Sequence, residues 1–158
     1  MQHPNGPAPN AANESDEDDA RWMRRACELA LRCPPSATAF SVGAVLVKDG
    51  RVVGEGWSRA EDPRDHAEEV ALRHAGAAAR GAVAYSSMEP CARRASRPAP
   101  CAHLLADAGV ARTAYAMPEP LTFVAAPGGD AFLREHGVVV TVMPEFAAAA
   151  AEPNAHLL

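Results

Sequence analysis

Two β-rich runs, residues 42–48 and 51–57, flank Asp49-Gly50, and this arrangement constrains the fold more than any other local pattern. Asp-Gly supplies the positive-φ backbone of a two-residue hairpin turn, so the runs are expected to pair antiparallel. Beyond the hairpin the pattern changes to alternation. A helical period over residues 66–80, closed by Gly81, precedes a short strand at 82–87. A helix at 101–108, a strand at 110–117, a helix at 129–136 and a strand at 138–143 follow. An earlier helix starts near Asp19, carries Trp22, Cys27, Leu29, Ala30 and Cys33 on or near one face, and stops at Pro34-Pro35. The order α-β-β-α-β-α-β-α-β gives an α/β fold: a three-layer α/β/α sandwich around a mixed five-stranded sheet.

Charge divides the chain. The formal net charge is −5, yet Glu14, Asp16, Glu17, Asp18 and Asp19 place five acids among the first twenty residues. Without them acids and bases number 15 each, so the body is neutral and offers no basic track for a phosphate backbone; nucleic acid is not expected as a partner. Residues 1–18 read as a disordered acidic arm, 19–143 as one domain, and 144–158 as a tail in which Ala147 to Ala151 form a loosely docked short helix. No apolar run approaches the roughly 20 residues of a bilayer span, and residues 1–20 lack the basic and apolar regions of a secretory leader. A cytoplasmic setting is expected, where cysteines stay reduced and are available to metals.

His66-Ala67-Glu68, Pro90-Cys91 and Cys101 carry the chemistry. One imidazole and two thiolates fill three tetrahedral positions on Zn2+ and leave the fourth to water, as catalytic zinc requires. Zinc acidifies such water to a pKa of about 7, and a glutamate nearby carries the proton. Inside a helix His66 and Glu68 would point about 200° apart, but a residue at the helix start is free to fold over the end. Cys101 opens the next helix, so two positive dipole ends would favour thiolate. Each piece has a plainer reading. Asp65 as N-cap with Glu68 three residues on is also a capping box, His66 an exposed helix-start residue, and Cys91 and Cys101 small buried hydrophobes. Cys27 and Cys33 read as core thiols, and His74, His103, His136 and His156 as surface residues.

His66-x-Glu68 followed by Pro90-Cys91 and a second cysteine resembles the zinc nucleobase deaminases. Nine residues separate Cys91 from Cys101, where most of that superfamily has two. The long insert, together with residues 42–50, 53–57 and 66–72, is most similar to the deaminase domain of bacterial riboflavin-biosynthesis proteins, over roughly residues 21–142. That resemblance implies a cytidine deaminase-like fold, Glu68 as proton shuttle, and His66, Cys91 and Cys101 as zinc ligands. It further implies a diaminopyrimidine ribosylamino phosphate as substrate, Arg97 as a phosphate contact with Arg93 and Arg94 as alternatives, and a homo-oligomer, with a dimer expected. Where this family has Asn-Pro, the chain has Phe40-Ser41, expected to stack on and hydrogen-bond the base; where it has Ser-His after the first cysteine, Ala92-Arg93 stand. The expectation is a stand-alone member of the group with a substrate of this type. The alternatives are a cytidine or deoxycytidylate-type nucleotide deaminase and, in a different class, a non-catalytic zinc-binding module.

Overall fold

A computed structural model describes residues 15–94, 97–124 and 127–158. The expected arm therefore lies outside the described residues over positions 1–14. Its last acids belong to the fold instead. Helix α1 (Asp16–Ala30) starts three residues before Asp19, because the Ser15 hydroxyl accepts the Asp18 N–H at 3.2 Å and four acids occupy the positive end of the helix. Asp19 is buried, and its carboxylate accepts from Arg112 at 2.6 and 3.1 Å and from the Tyr85 hydroxyl at 2.6 Å, which ties α1 to the sheet.

The five strands are β1 (Gly43–Lys48), β2 (Arg51–Trp57), β3 (Val83–Met88), β4 (Arg112–Met117) and β5 (Val139–Val142), in the order β2-β1-β3-β4-β5. The hairpin forms as expected, with Asp49 and Gly50 both at positive φ, and β1 pairs antiparallel with β2 and β3. The pairs β3–β4 and β4–β5 are parallel, because a helix crosses between each. Alternation along β1 feeds two cores: Val45 and Val47 pack with Trp22, Met23, Tyr85 and Ala114 under α1, while Ala44 and Leu46 pack with Ala71, Leu105 and Leu133 on the other face. That second face is covered by α2 (Ala67–Ala75), α3 (Cys101–Asp107) and α4 (Gly129–Glu135), which completes the mixed three-layer sandwich.

Glycines set the helix positions, two of them next to the site. A side chain at Gly56 on β2 would meet the backbone of Ala67 and Ala71 on α2, and one at Gly129 would meet the Pro90 carbonyl. Both close approaches bring helix starts against the strand ends that carry the site. Helix α2 is shorter than the 66–80 expected: it ends at Ala75, Gly76 turns at φ +56, and a 3-10 turn Gly76–Ala79 leads to β3. The C-terminal segment is not loosely docked. A 3-10 turn (Pro144–Phe146), α5 (Ala147–Ala151) and a second 3-10 turn (Glu152–Leu157) follow β5, with Ala150 and Asn154 buried. Among the described residues no helix is long and apolar enough to cross a membrane.

Candidate metal centre and the cavity above it

Helix α2 begins one residue later than the expected cap. His66, not Asp65, is its N-cap, in extended conformation, and its backbone N–H donates to Glu69 Oε1 at 3.3 Å. The capping role weighed for Glu68 thus falls to Glu69. Asp65 has another task, accepting the N–H groups of Glu61 and Asp62 at 3.2 and 2.9 Å and so shaping the loop that enters the helix. With His66 off the helix and Glu68 in its first turn, the objection from helical spacing disappears.

Nδ1 of His66 lies 3.5 Å from the sulfurs of both Cys91 and Cys101, and the three donor atoms are all within 4.8 Å of one another. On a tetrahedron with Zn–N of about 2.0 Å and Zn–S of about 2.3 Å, the N–S edge is about 3.5 Å. The electrostatics ask for a cation as well. Cys91 is held down at about 4 by hydrogen bonding from Cys101 and by His66, and the Cys101 N–H at the start of α3 donates to its sulfur at 3.3 Å. Cys101 is pushed well up by the neighbouring Cys91 sulfur, by full burial and by Glu68. A second thiolate in this setting needs a divalent positive charge beside it. The donor set therefore fits zinc.

Glu68 is 5% exposed, and its Oε1 lies 2.6 Å from the Ser86 hydroxyl on β3, which is also 2.7 Å from the Met88 carbonyl. One hydroxyl proton serves either neighbour. An ionised Glu68 accepts from Ser86; a protonated Glu68 donates to Ser86 while Ser86 turns to Met88. Both states of the carboxyl find a partner, which suits a group that takes up and releases a proton.

His66, Glu68 and Cys91 open onto a cavity of about 390 Å³. Phe40 lines it and meets Phe123 with ring centroids 4.9 Å apart. Ser41 is buried, with its hydroxyl accepting from Arg59 at 2.8 Å, so the side chain expected to hydrogen-bond a base instead fixes the loop. Arg97 is likewise engaged by the protein itself: its guanidinium is 3.2 Å from Asp65 and 3.5 Å from Asp62, carboxylates that only the folded chain brings to it. Arg94 is almost fully enclosed and pairs with Glu69 at 3.0 Å. Arg93 lines the cavity, exposed, and no carboxylate among the described residues pairs with it. Cys27 is a core thiol, as expected, while Cys33 is half-buried and donates to the Val42 carbonyl. His103 stacks on Phe132 and His74 pairs with Glu61.

Several cavity residues escaped the sequence reading, two of them beyond β4. Phe123 and Glu119 come from the segment after β4, and the signal available was an acid held between Pro118 and Pro120. Burial pushes Glu119 up to about 7, with the charges of Cys91, Glu89 and Glu68 acting in the same direction. Glu89 organises this wall: its two oxygens accept the Glu119 and Asp130 N–H groups, each at 3.0 Å.

The chain is similar to known proteins. The chain is 45% identical over 131 residues to the riboflavin biosynthesis protein RibD of Haemophilus influenzae, covering 82% of this chain and 34% of that protein. It is 36% identical over 124 residues to the diaminohydroxyphosphoribosylamino-pyrimidine deaminase of Buchnera aphidicola (subsp. Acyrthosiphon pisum), covering 78% of this chain and 82% of that one. The solved structure of Acinetobacter baumannii RibD superposes with a TM-score of 0.77 at 37% identity, over 88% of this chain and 38% of that chain. The chain thus spans about a third of the length of the RibD proteins. Residues 16–117, which hold all three metal donors and Glu68, match the cytidine and deoxycytidylate deaminase zinc-binding region, and the chain belongs to that family.

Proposed function

We propose that this protein hydrolytically deaminates a pyrimidine-type ring, with His66, Cys91 and Cys101 holding Zn2+ and Glu68 carrying the proton. The observation that carries the reading is the opening of Glu68, His66 and Cys91 onto one cavity, with Glu68 backed by a hydroxyl that serves both its protonation states. Zinc bound there supplies Lewis acidity towards a water molecule. Glu68 takes a proton from that water and delivers it to a ring nitrogen, then takes the remaining proton from the hydroxyl now on the ring carbon and delivers it to the departing amine. The water oxygen bonds to the ring carbon, the carbon–nitrogen bond breaks, and ammonia leaves.

The substrate best supported is a diaminopyrimidine ribosylamino phosphate, the class named for the Buchnera relative. Phe40 stacks on the planar ring, and Arg93 at the cavity rim takes the phosphate, the role first expected of Arg97. A reducing cytoplasm, which keeps all four cysteines out of disulfides, and a homodimer complete the reading; light scattering of the zinc-loaded protein tests the dimer. The decisive assay incubates zinc-loaded protein with diaminohydroxyphosphoribosylaminopyrimidine and with deoxycytidylate, following ammonia release and product mass. Turnover of the first is expected. Turnover of deoxycytidylate alone would move the substrate to the nucleotide class, and stoichiometric zinc with no turnover of either would leave a binding module.

A further inference from the structure

The C-terminal turn touches the loops that carry the cavity wall at three places. Asn154 is fully buried, and its side chain behaves as a missing strand would: Oδ1 accepts the Ser41 N–H at 2.6 Å, and Nδ2 donates to the Ser41 carbonyl at 2.9 Å and the Ala150 carbonyl at 3.3 Å. The Thr122 hydroxyl donates to the Leu157 carbonyl at 3.0 Å. His156 Nε2 lies 2.7 Å from the Ser36 carbonyl. Ser41 is the neighbour of Phe40, and Thr122 the neighbour of Phe123. These are the two aromatic rings that meet at 4.9 Å on the cavity wall, from loops otherwise far apart in sequence.

We propose that Asn154, with the Glu152–Leu157 turn, is a positioning element of the substrate pocket: it fixes the two loops so that Phe40 and Phe123 form one wall. This rests on reading the cavity as the deaminase pocket. Asn is the residue type the position needs. Ser41 is buried, so both of its backbone groups must find a partner in the protein, and a side-chain amide satisfies a donor and an acceptor at once. Asp would accept the N–H but set its second oxygen against the Ser41 carbonyl. Asn154 also lies outside residues 16–117, so the turn contributes to the pocket without belonging to the metal-binding region. Its loss should alter how substrate is held and leave zinc in place.

The test uses the full zinc-loaded chain. In Asn154→Ala, KM for diaminohydroxyphosphoribosylaminopyrimidine should rise about 10- to 100-fold, the scale of an ångström-sized misplacement, with kcat within a few-fold and zinc at one per chain. Thr122→Val removes an exposed hydrogen bond with little threat to folding and should raise KM in the same sense. Because Asn154 acts through Phe40, adding Asn154→Ala to Phe40→Ala should raise KM no further. Fluorophenylalanine labelling adds a readout independent of turnover. Asn154→Ala should move the 19F resonances of Phe40 and Phe123 and leave that of Phe132, on α4, in place. An unchanged KM with unmoved resonances, fully additive effects in the double variant, or loss of zinc in step with activity would overturn the proposal. A wild-type protein that turns over no pyrimidine would sink the deaminase reading alone, since the resonances still test the strut.

Discussion

Replacing Glu68 by Gln separates chemistry from structure at this site. The carboxyl is buried and accepts from the Ser86 hydroxyl at 2.6 Å, with the Cys101 sulfur beside it. A glutamine amide oxygen accepts that hydrogen bond equally, so folding should change by no more than about 1 kcal/mol, the worth of one imperfect hydrogen bond. Zinc retention should not suffer, because Glu68 is among the charges that oppose ionisation of Cys101 and its neutralisation eases the second thiolate. What glutamine lacks is a proton to carry. General acid–base catalysis contributes about 10²- to 10⁴-fold, so kcat should fall by that factor, equivalent to about 3 to 5 kcal/mol of transition-state stabilisation. Coupled ammonia release gives the rate, elemental analysis the metal, and thermal unfolding the fold. A Glu68→Gln protein with one zinc per chain and more than a tenth of the wild-type kcat would refute the proton-shuttle argument.

Arg93→Ala should raise KM for the phosphorylated substrate but not for its dephosphorylated form, whereas Arg97→Ala should leave both KM values nearly unchanged and lower the melting temperature only slightly, because buried Asp65 keeps Arg73 at 3.0 Å; steady-state kinetics on the two substrates and calorimetry distinguish them. Chelating the zinc should lower the unfolding midpoint in proportion to the binding free energy lost, and readdition should restore it; a midpoint indifferent to chelator would contradict the three-donor site. In the zinc-free protein Glu119 sits near 7 against an ordinary carboxylate value of 4.5, so its folded state favours the proton. The stability it contributes is complete below about pH 4.5 and is lost as pH rises through 7; the urea midpoint of Glu119→Gln should fall less over that window than that of the wild type.

The sheet and the metal donors were legible because both are written in local patterns. Asp49-Gly50 between two strand runs fixes the hairpin, and three metal-binding side chains at element boundaries need no tertiary information to be noticed. The same sequence misled wherever a partner arrives from far away. Arg97 looks free until Asp62 and Asp65 fold beside it, and Ser41 looks like a ligand until Arg59 and Asn154 consume its polar groups. Asn154 itself is hidden by its surroundings, a lone amide after a run of alanines that carries no periodic signal. The acids of residues 16–18 read as part of a tail because charge density was weighed without Ser15, whose hydroxyl turns them into a helix start. Glu68 could not be told from a capping residue until the cap was seen at His66 with Glu69 as its partner.

The side chains positioned to hold a metal come from the starts of α2 and α3 and the turn after β3, whereas the aromatic wall hangs on residues 34–41 and 118–124 and the last turn. Reagent and mould are thus built from separate stretches of polypeptide. If the proposed deamination holds, grafting those two loops with the terminal turn as a set should exchange substrate preference between members of this family, while a loop moved without its turn would arrive unsupported.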